Sequence, residues 1–425
     1  MPLNGVLRQQ NSLTQIQNDP VRRHMSMQTR RYQRTHSWLT FQVRLDQASN
    51  HRLWIALGEA QSKCEHLAWV PLLPAISEHM HQILLAKGVL ATTAIEGNTL
   101  SEEQVLQHLE GRLKLPQSQE YMAQEIANIV AAVNQIGQAI LAGGSDDLSI
   151  EKLKRYNATV LDKLELGEGV IPGEIRRHEV SVGRYPGAPA EDCQYLLERL
   201  CDWLNQPEFR PTDDDAIIMG LVRAVLAHLY LAWIHPFGDG NGRTARLVEF
   251  ELLVAAGVPS AAAYLLSNHY NQTRQEYYRQ LDRASRSADG VLSFVEYAIR
   301  GFVDGVREQI EWVKVQQMHI TWHHYVSSVI GKRAAKVTGQ RRMTLALELA
   351  GSSEPVPLSK IPDLTTELAR EYAKKTPKTV SRDVNALIAM GLAVKESGGY
   401  RANWKLLDAF LPARRTLGPR ALPLL

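Results

Sequence analysis

The chain has 425 residues, 44% of them hydrophobic and 22% charged, a balance that excludes a disordered protein and allows two or three separate cores. Charge is uneven: residues 1–50 hold 7 basic and 2 acidic side chains, residues 51–330 hold 24 and 35, and residues 331–425 hold 17 and 8. Basic ends flanking an acidic middle make nucleic acid a candidate partner for an end.

Residues 1–35, rich in Gln, Arg and Met without a steady period, are expected to form a flexible basic tail. Polar residues such as Arg8 and Gln9 speak against a secretory leader. Cys64, Cys193 and Cys201 form neither an even framework nor a close metal-type pairing, so reduced thiols in a cytoplasmic protein are expected. From Trp54 to Leu90, and again through Ile126, Ile129, Val130 and Val133, apolar residues recur every three or four positions, the period of helices. Ser101 with Gln104 is a capping-box pattern that opens a new helix just after Glu96-Gly97-Asn98, so the preceding helix ends near Gly97.

Between Gly167 and Pro189 the pattern turns to glycine, proline and alternation, with Val180 and Val182 on one side of a short strand and Ser181 on the other; a small hairpin follows. Thr212 and the acidic run Asp213 to Asp215 predict a helix start, where the dipole favours negative charge. The helix reaches Ile234. Its run from Ile217 is nearly long enough to span a bilayer, but Arg223 and His228 interrupt it, so a buried core helix and no membrane partner are expected. A second helix starts near Arg243 and ends near Gly257. No strand–helix alternation appears, which argues for a mainly α fold without a parallel sheet. After about residue 315 comes a smaller basic unit with helices near Met343–Leu349 and Leu364–Tyr372 and another ending at Met390, then two strands around Ser397-Gly398-Gly399.

Chemistry concentrates at the junction of two helices, in the run His235-Pro-Phe-Gly-Asp-Gly-Asn-Gly-Arg-Thr-Ala-Arg246. Gly240 and Gly242 let the backbone turn its N–H groups inward, and the helix that follows offers unpaired N–H donors to an anion. His235 can take a proton from an attacking hydroxyl, Asp239 can hold Mg²⁺ against phosphate oxygens, and Arg246 and Arg243 can fork phosphate oxygens. Phe237 is expected to anchor the loop in the core. These residues by themselves suit phosphoryl and nucleotidyl transfer equally.

The run resembles the signature of the Fic family, His-x-Phe-x-Asp/Glu-Gly-Asn-Gly-Arg-x-x-Arg, at every defined position. Pro172 to Arg176, Val180 to Gly183, Tyr185-Pro186 and Glu276 to Leu281 also look like family segments, extending the likeness over roughly residues 90–300. The resemblance implies a Fic-type helical bundle with a β-hairpin flap. It implies transfer of AMP from ATP to a hydroxyl of a target protein, including the chain itself, with His235 as general base. Asp239 would carry Mg²⁺, Gly238, Gly240, Asn241, Gly242 and Arg243 would line the phosphates, and Arg246 would clamp the γ-phosphate. The flap, Val180, Ser181, Val182, Gly183, Arg184 and Tyr185, would pair with an extended piece of the target. Tyr277, Tyr278 and Leu281 fall where family members pack against adenine, whereas Ser285 stands where some relatives have asparagine, which leaves transfer of another nucleotide open.

The stretch Thr92-Thr93-Ala94-Ile95-Glu96-Gly97-Asn98 resembles the family's inhibitory helix in the class that carries it before the core. A Glu96 carboxylate on Arg246 would occupy the guanidinium meant for the γ-phosphate and repel that phosphate. The same carboxylate could instead position water to remove AMP from a modified protein. Residues 36–315 are expected to form the Fic domain, residues 316–410 a unit resembling a winged helix-turn-helix, and residues 411–425 a tail. Residues 331–425 could then bind DNA, with Lys378, Thr379, Ser381, Arg382 and Asn385 facing a groove and Lys374 and Lys375 toward phosphate. The contrasting reading is a DNA-binding regulator whose Fic portion senses nucleotide; a homodimer could shift the inhibitory helix.

Overall fold

A computed structural model describes residues 29–45, 50–182, 185–210, 214–286, 290–331 and 336–407. The expected C-terminal tail, and Gly183 and Arg184 of the hairpin, lie outside the described residues.

The fold is mainly helical. The first half holds α1 (Arg31–Thr35), α2 (His51–Ala68), α3 (Pro74–Ala94), α4 (Glu102–Leu109), α5 (Glu120–Leu141) and α6 (Ile150–Val160). A hairpin of β1 (Ser181–Val182) and β2 (Tyr185–Pro186) follows, then α7 (Cys193–Leu204), α8 (Ala216–Ile234) and α9 (Asn241–Ala255). Next come α10 (Ser260–Ala263), α11 (Leu265–Gln272), α12 (Arg274–Ala284) and α13 (Gly290–Ile330). The C-terminal part is α14 (Val337–Glu348), α15 (Thr366–Tyr372), α16 (Pro377–Ala389), β3 (Ala393–Glu396) and β4 (Gly399–Ala402).

The axis of the larger core is α8, which is apolar on all sides and correspondingly buried on all sides. By length and hydropathy it could cross a membrane, yet 89% of its apolar window is buried in protein. Its neighbours include α9, α2, α7 and α13. The start expected at Thr212 is displaced: α8 begins at Ala216, after Asp215, while residues 211–213 lie outside the described ones. The capping box forms as the sequence indicates, with Ser101 Oγ accepting from Gln104 N at 3.2 Å and Ser101 N donating to Gln104 Oε1 at 2.9 Å. The three cysteines are free and buried, and burial raises each thiol, to about 12 at Cys64 and Cys201 and to about 11 at Cys193.

Two expected boundaries move. Arg31–Thr35 is a helical turn rather than tail, because Tyr32 N donates to the buried Asp192 carboxylate at 2.8 Å and Arg30 stacks 3.9 Å over the Tyr195 ring. The change expected near residue 315 falls inside α13, an unbroken helix of 41 residues. Its first half packs Phe294, Ile299 and Phe302 into the larger core, and its end gives Trp322, Val326 and Ile330 to a second core with Leu345, Ile361, Leu368, Val384 and Leu387.

That second core carries the helices expected from the sequence. The strands pair antiparallel, Ala393 with Ala402 through Glu396 with Gly399, and Val356 adds a bridge to Tyr400. Asp383, the only acidic residue of α16, is buried and holds Arg341 Nε at 2.7 Å and Arg342 Nε at 2.8 Å. Lys378, Arg382 and Asn385 of the same helix are exposed.

Candidate active site

The α8–α9 junction opens where α8 ends on His235, whose backbone is left-handed at φ 50°, a strained conformation for a residue with a Cβ. The main chain is held there from three sides. His235 N donates to Leu231 O at 2.9 Å, His235 O accepts from Arg176 Nε at 2.7 Å, and Arg176 N donates to Pro236 O at 2.9 Å. Arg176 is 4% exposed and also donates to the carbonyls of His178, Ala188 and Ile234, so one guanidinium ties the base of the hairpin to the 235–240 loop.

The imidazole Nδ1 lies 3.4 Å from the Ala232 carbonyl. A carbonyl only accepts, so Nδ1 carries the proton and Nε2 keeps its lone pair. Burial pushes the pKa down to about 4, with the Arg176 charge lowering it and the Ala232 carbonyl, Glu96 and Asp239 pulling the other way. His235 is therefore neutral at pH 7, as a proton acceptor must be.

Beyond His235 the loop is fastened from within. Phe237 is 1% exposed and pairs with Ile175, as an anchor should. Asn241 is likewise buried: its Oδ1 accepts from Phe237 N at 2.8 Å and its Nδ2 donates to Phe237 O at 2.9 Å. The side chain of this residue, the first of α9, is a staple across the loop. Gly240 has φ 74° and starts α9, with Asn157 Nδ2 donating to the Asp239 carbonyl at 2.8 Å directly beside it. Gly238 lies against Val170.

The opening of α9 faces the turn that follows α3. A Cβ on Gly242 would lie 2.1 Å from Glu96 Oε1, so the carboxylate sits over the first turn of α9, where an anion is favoured. Arg246 Nη2 donates to Glu96 Oε1 at 2.6 Å and to Thr92 O at 2.9 Å. The Arg246 side chain is 1% exposed and that of Glu96 34%. Burial opposes the Glu96 charge, but Arg246, then Arg243 and His235, outweigh it and hold the carboxyl below its ordinary range. Arg246 Nε is buried without a hydrogen-bond partner among the described residues, which leaves a donor for an oxyanion.

Asp239 stands at the outer side of the loop with its side chain 51% exposed. Its Oδ1 accepts from Gly240 N at 2.5 Å and from Arg243 Nη2 at 3.3 Å. Arg243 Nη1 donates to Glu125 Oε1 of α5 at 2.7 Å, so Arg243 braces the loop between two carboxylates.

The structure thus brings His235, Asp239, Gly240, Gly242, Arg243, Arg246 and Glu96 together. Of the residues expected at adenine, Tyr277 and Leu281 are buried at 3% and 2%, and Tyr277 Oη lies 2.9 Å from His228 Nε2. Both are buried on the face of α12 that packs on α13, and Tyr277 and the 42% exposed Tyr278 lie within electrostatic reach of Arg246. Ser285 closes the end of α12, donating to Asp282 O at 2.7 Å. In the hairpin, Ser181 pairs with Pro186 and Val182 with Tyr185, and Gly187 N donates to Val180 O at 3.0 Å. Sequence reasoning missed Asn157 and Glu125, two lone polar residues outside the signature, and named Arg176 only as part of a family segment, without its role on the loop.

Beneath Arg246 lies a buried group of unusual charge state. Burial raises Glu249 to about 8 and lowers His228 to about 3, so both are neutral at pH 7, with Tyr270 Oη donating to Glu249 Oε1 at 2.9 Å. Arg246 and the carboxylate placed on it thus dominate the charge at this depth.

The model of the Fic/DOC family matches residues 147–253. The chain is 30% identical over 232 residues to protein adenylyltransferase fic-1 of Caenorhabditis elegans, covering 55% of this chain and 42% of the relative. It is 33% identical over 195 residues to protein adenylyltransferase Fic of Culex quinquefasciatus, covering 46% and 36%. The chain thus spans less than half the length of these curated relatives. A solved Fic family protein from Desulfovibrio desulfuricans G20 shares the fold, with a TM-score of 0.51 at 22% identity over 84% of this chain and 96% of that one.

Proposed function

We propose that this chain, which carries a Fic domain over residues 147–253, transfers AMP from ATP to a hydroxyl of a target protein and is held back by Glu96. The observation that carries this is the pairing, across one loop, of a neutral His235 whose Nε2 is open with an anion site at Gly242 and Arg246. A base and a phosphate cradle at that spacing suit attack of a hydroxyl on a phosphorus.

The target hydroxyl gives its proton to His235 Nε2 while its oxygen bonds to the α-phosphorus. The bond from that phosphorus to the bridging oxygen breaks, and pyrophosphate leaves with the electron pair. The left-handed His235 backbone, fixed by Arg176, sets the direction of the lone pair. The α9 N-terminus and Arg246 take the negative charge of the phosphates. The hairpin edge next to His235 offers backbone groups to an extended stretch of target.

Asp239 fits a magnesium ion that arrives with the nucleotide. Its side chain is half exposed, both of its hydrogen bonds fall on Oδ1, and no cluster of three His, Cys, Asp or Glu among the described residues would hold an ion unaided. Such an ion uses one or two carboxylates plus phosphate oxygens, and it would supply charge neutralisation on the phosphates.

Glu96 opposes all of this by occupying both the Arg246 fork and the space over Gly242. The γ-phosphate loses its clamp and meets a like charge, so ATP would sit with its α-phosphorus out of line. The C-terminal unit supports a second partner: with Asp383 buried, the exposed charges of α16 are Lys378 and Arg382, a helix face suited to DNA phosphates. Self-modification with labelled ATP tests the central reading. Incorporation by Glu96→Gly and its loss in Glu96→Gly/His235→Ala support it; incorporation that survives loss of His235 overturns it.

A further inference from the structure

The turn that carries Glu96 reaches the catalytic loop at a second place. Asn98, two residues on, is 5% exposed and its Nδ2 donates to Glu125 Oε2 at 2.9 Å and to Met122 O at 3.0 Å. Its Oδ1 accepts from Leu100 N at 3.1 Å, and its backbone N donates to Thr93 O at 3.2 Å, so the amide is fixed from both ends. The other Glu125 oxygen accepts from Arg243 Nη1 at 2.7 Å, and Arg243 Nη2 reaches Asp239 Oδ1 at only 3.3 Å. Asn98, Glu125, Arg243 and Asp239 therefore form one continuous chain from the Glu96 turn to the outer carboxylate of the loop.

The unequal distances decide the effect of this chain. Arg243 stands between two carboxylates and lies closer to Glu125, whose side chain is 13% exposed, than to Asp239, whose side chain is 51% exposed. Glu125 draws the guanidinium back and offsets its charge. Asp239 then keeps an open, negative face toward an incoming cation. Without the Glu125 charge, Arg243 would close onto Asp239 as a full ion pair and compete with a divalent cation for the same oxygens.

We propose that Glu125 is a positioning residue for cation-dependent nucleotide binding, holding Arg243 off Asp239, and that Asn98 ties this hold to the turn bearing Glu96. The proposal rests on the nucleotidyl-transfer reading above. It gives the 96–98 turn two grips on the site: Glu96 acts on the anion cradle through Arg246, and Asn98 acts on the cation side through Glu125. Movement of the turn would change both together.

The test is calorimetric titration of ATP into the full chain carrying Glu96→Gly and His235→Ala, which opens the cradle and prevents turnover, across a series of Mg²⁺ concentrations and in EDTA. Adding Glu125→Gln is expected to raise the Mg²⁺ concentration for half-maximal ATP affinity by about five- to tenfold, the order of one nearby charge at a partly exposed site. ATP affinity in EDTA should hold or rise, because Arg243 now covers the Asp239 charge. Glu125→Asp should recover most of the shift, and Asn98→Ala should give a smaller shift in the same direction. A purely structural role would instead lower ATP affinity equally with and without Mg²⁺, and that outcome overturns the proposal. Asp239→Ala separates the two levels. If it shifts the Mg²⁺ dependence and Glu125→Gln does not, the positioning role alone fails; if neither shifts it, the reading of Asp239 fails and takes this inference with it.

Discussion

Glu96 Oε1 lies 2.6 Å from Arg246 Nη2 and directly over Gly242, so one carboxylate fills both the guanidinium fork and the helix N-terminus that a phosphate would use. The sequence separation is 150 residues, and the Glu96 charge also raises the His235 pKa without outweighing the burial that lowers it. On the proposed reading this contact would act on nucleotide affinity and alignment.

Glu96→Gly is expected to raise self-modification by at least about tenfold, the scale of one charge-assisted hydrogen bond of roughly 1.5–3 kcal/mol. Glu96→Gln, which keeps the shape and loses the charge, should fall between the two. The Glu96 carboxyl is depressed below its ordinary value, so the stabilising contact is fully present above the ordinary carboxyl range and is lost only as pH falls through the lower folded value. Mild acid near pH 5 should leave the wild-type chain restrained, as labelled-ATP incorporation over a pH series would show.

In the Glu96→Gly chain the acid limb of the rate profile should lie at or below about pH 4, because burial sets His235 there and removing the Glu96 charge takes away one influence that raises it. A limb near the ordinary histidine value would mean that the loop opens to solvent before reaction.

Gly242→Ala should break the Glu96–Arg246 contact without freeing the enzyme. The new methyl would lie 2.1 Å from Glu96 Oε1 and 3.0 Å from Arg246 Nη1, in the space a phosphate needs. Nucleotide affinity should drop in both the wild-type and Glu96→Gly backgrounds, and incorporation should stay low in both.

Arg176→Ala removes the shared donor of four carbonyls in a 4% exposed position and should destabilise the chain by on the order of 3 kcal/mol in urea unfolding. Arg176→Lys cannot rebuild the fork and should recover only part of that loss.

Full-length chain with Lys378→Glu and Arg382→Glu should lose retention of duplex DNA at low salt, with the salt slope reduced by about one for each phosphate contact removed. Equal retention by the altered and unaltered chains would place any binding elsewhere.

What could be read in advance was local. The Ser101 cap, the stop near Gly97, the hairpin at 181–186 and the two strands around Gly398 depend on neighbours in sequence, and the loop from His235 to Arg246 marks a phosphate-type site by density alone, while the choice of nucleotidyl transfer rests on the family resemblance. Asn157 on α6 and Glu125 on α5 act by reaching a carbonyl or a charge of the loop, and a lone polar residue in a helical pattern looks the same whether it faces water or a loop; Arg176, in the irregular stretch before the hairpin, reaches its four carbonyls only once the chain has folded back. Tyr277, which the family resemblance sets against adenine, lies buried on the face of α12 that packs on α13, a placement the helical period of α12 alone does not reveal. The resemblance sets Asn241 among the phosphate-lining residues, and the reach of its side chain back to Phe237 exists only once the loop has turned.

The unbroken run of α13 has a practical meaning for dissecting the molecule. At 1.5 Å per residue, its 41 residues form a strut of about 60 Å whose far end supplies Trp322, Val326 and Ile330 to the second core. A fragment begun at residue 331 would lack those three side chains, and a chain cut at 315 would end in mid-helix with its last turns fraying. Pulling on one unit must load the other through the same rod, so the basic unit and the larger helical unit are mechanically in series rather than tethered by a string.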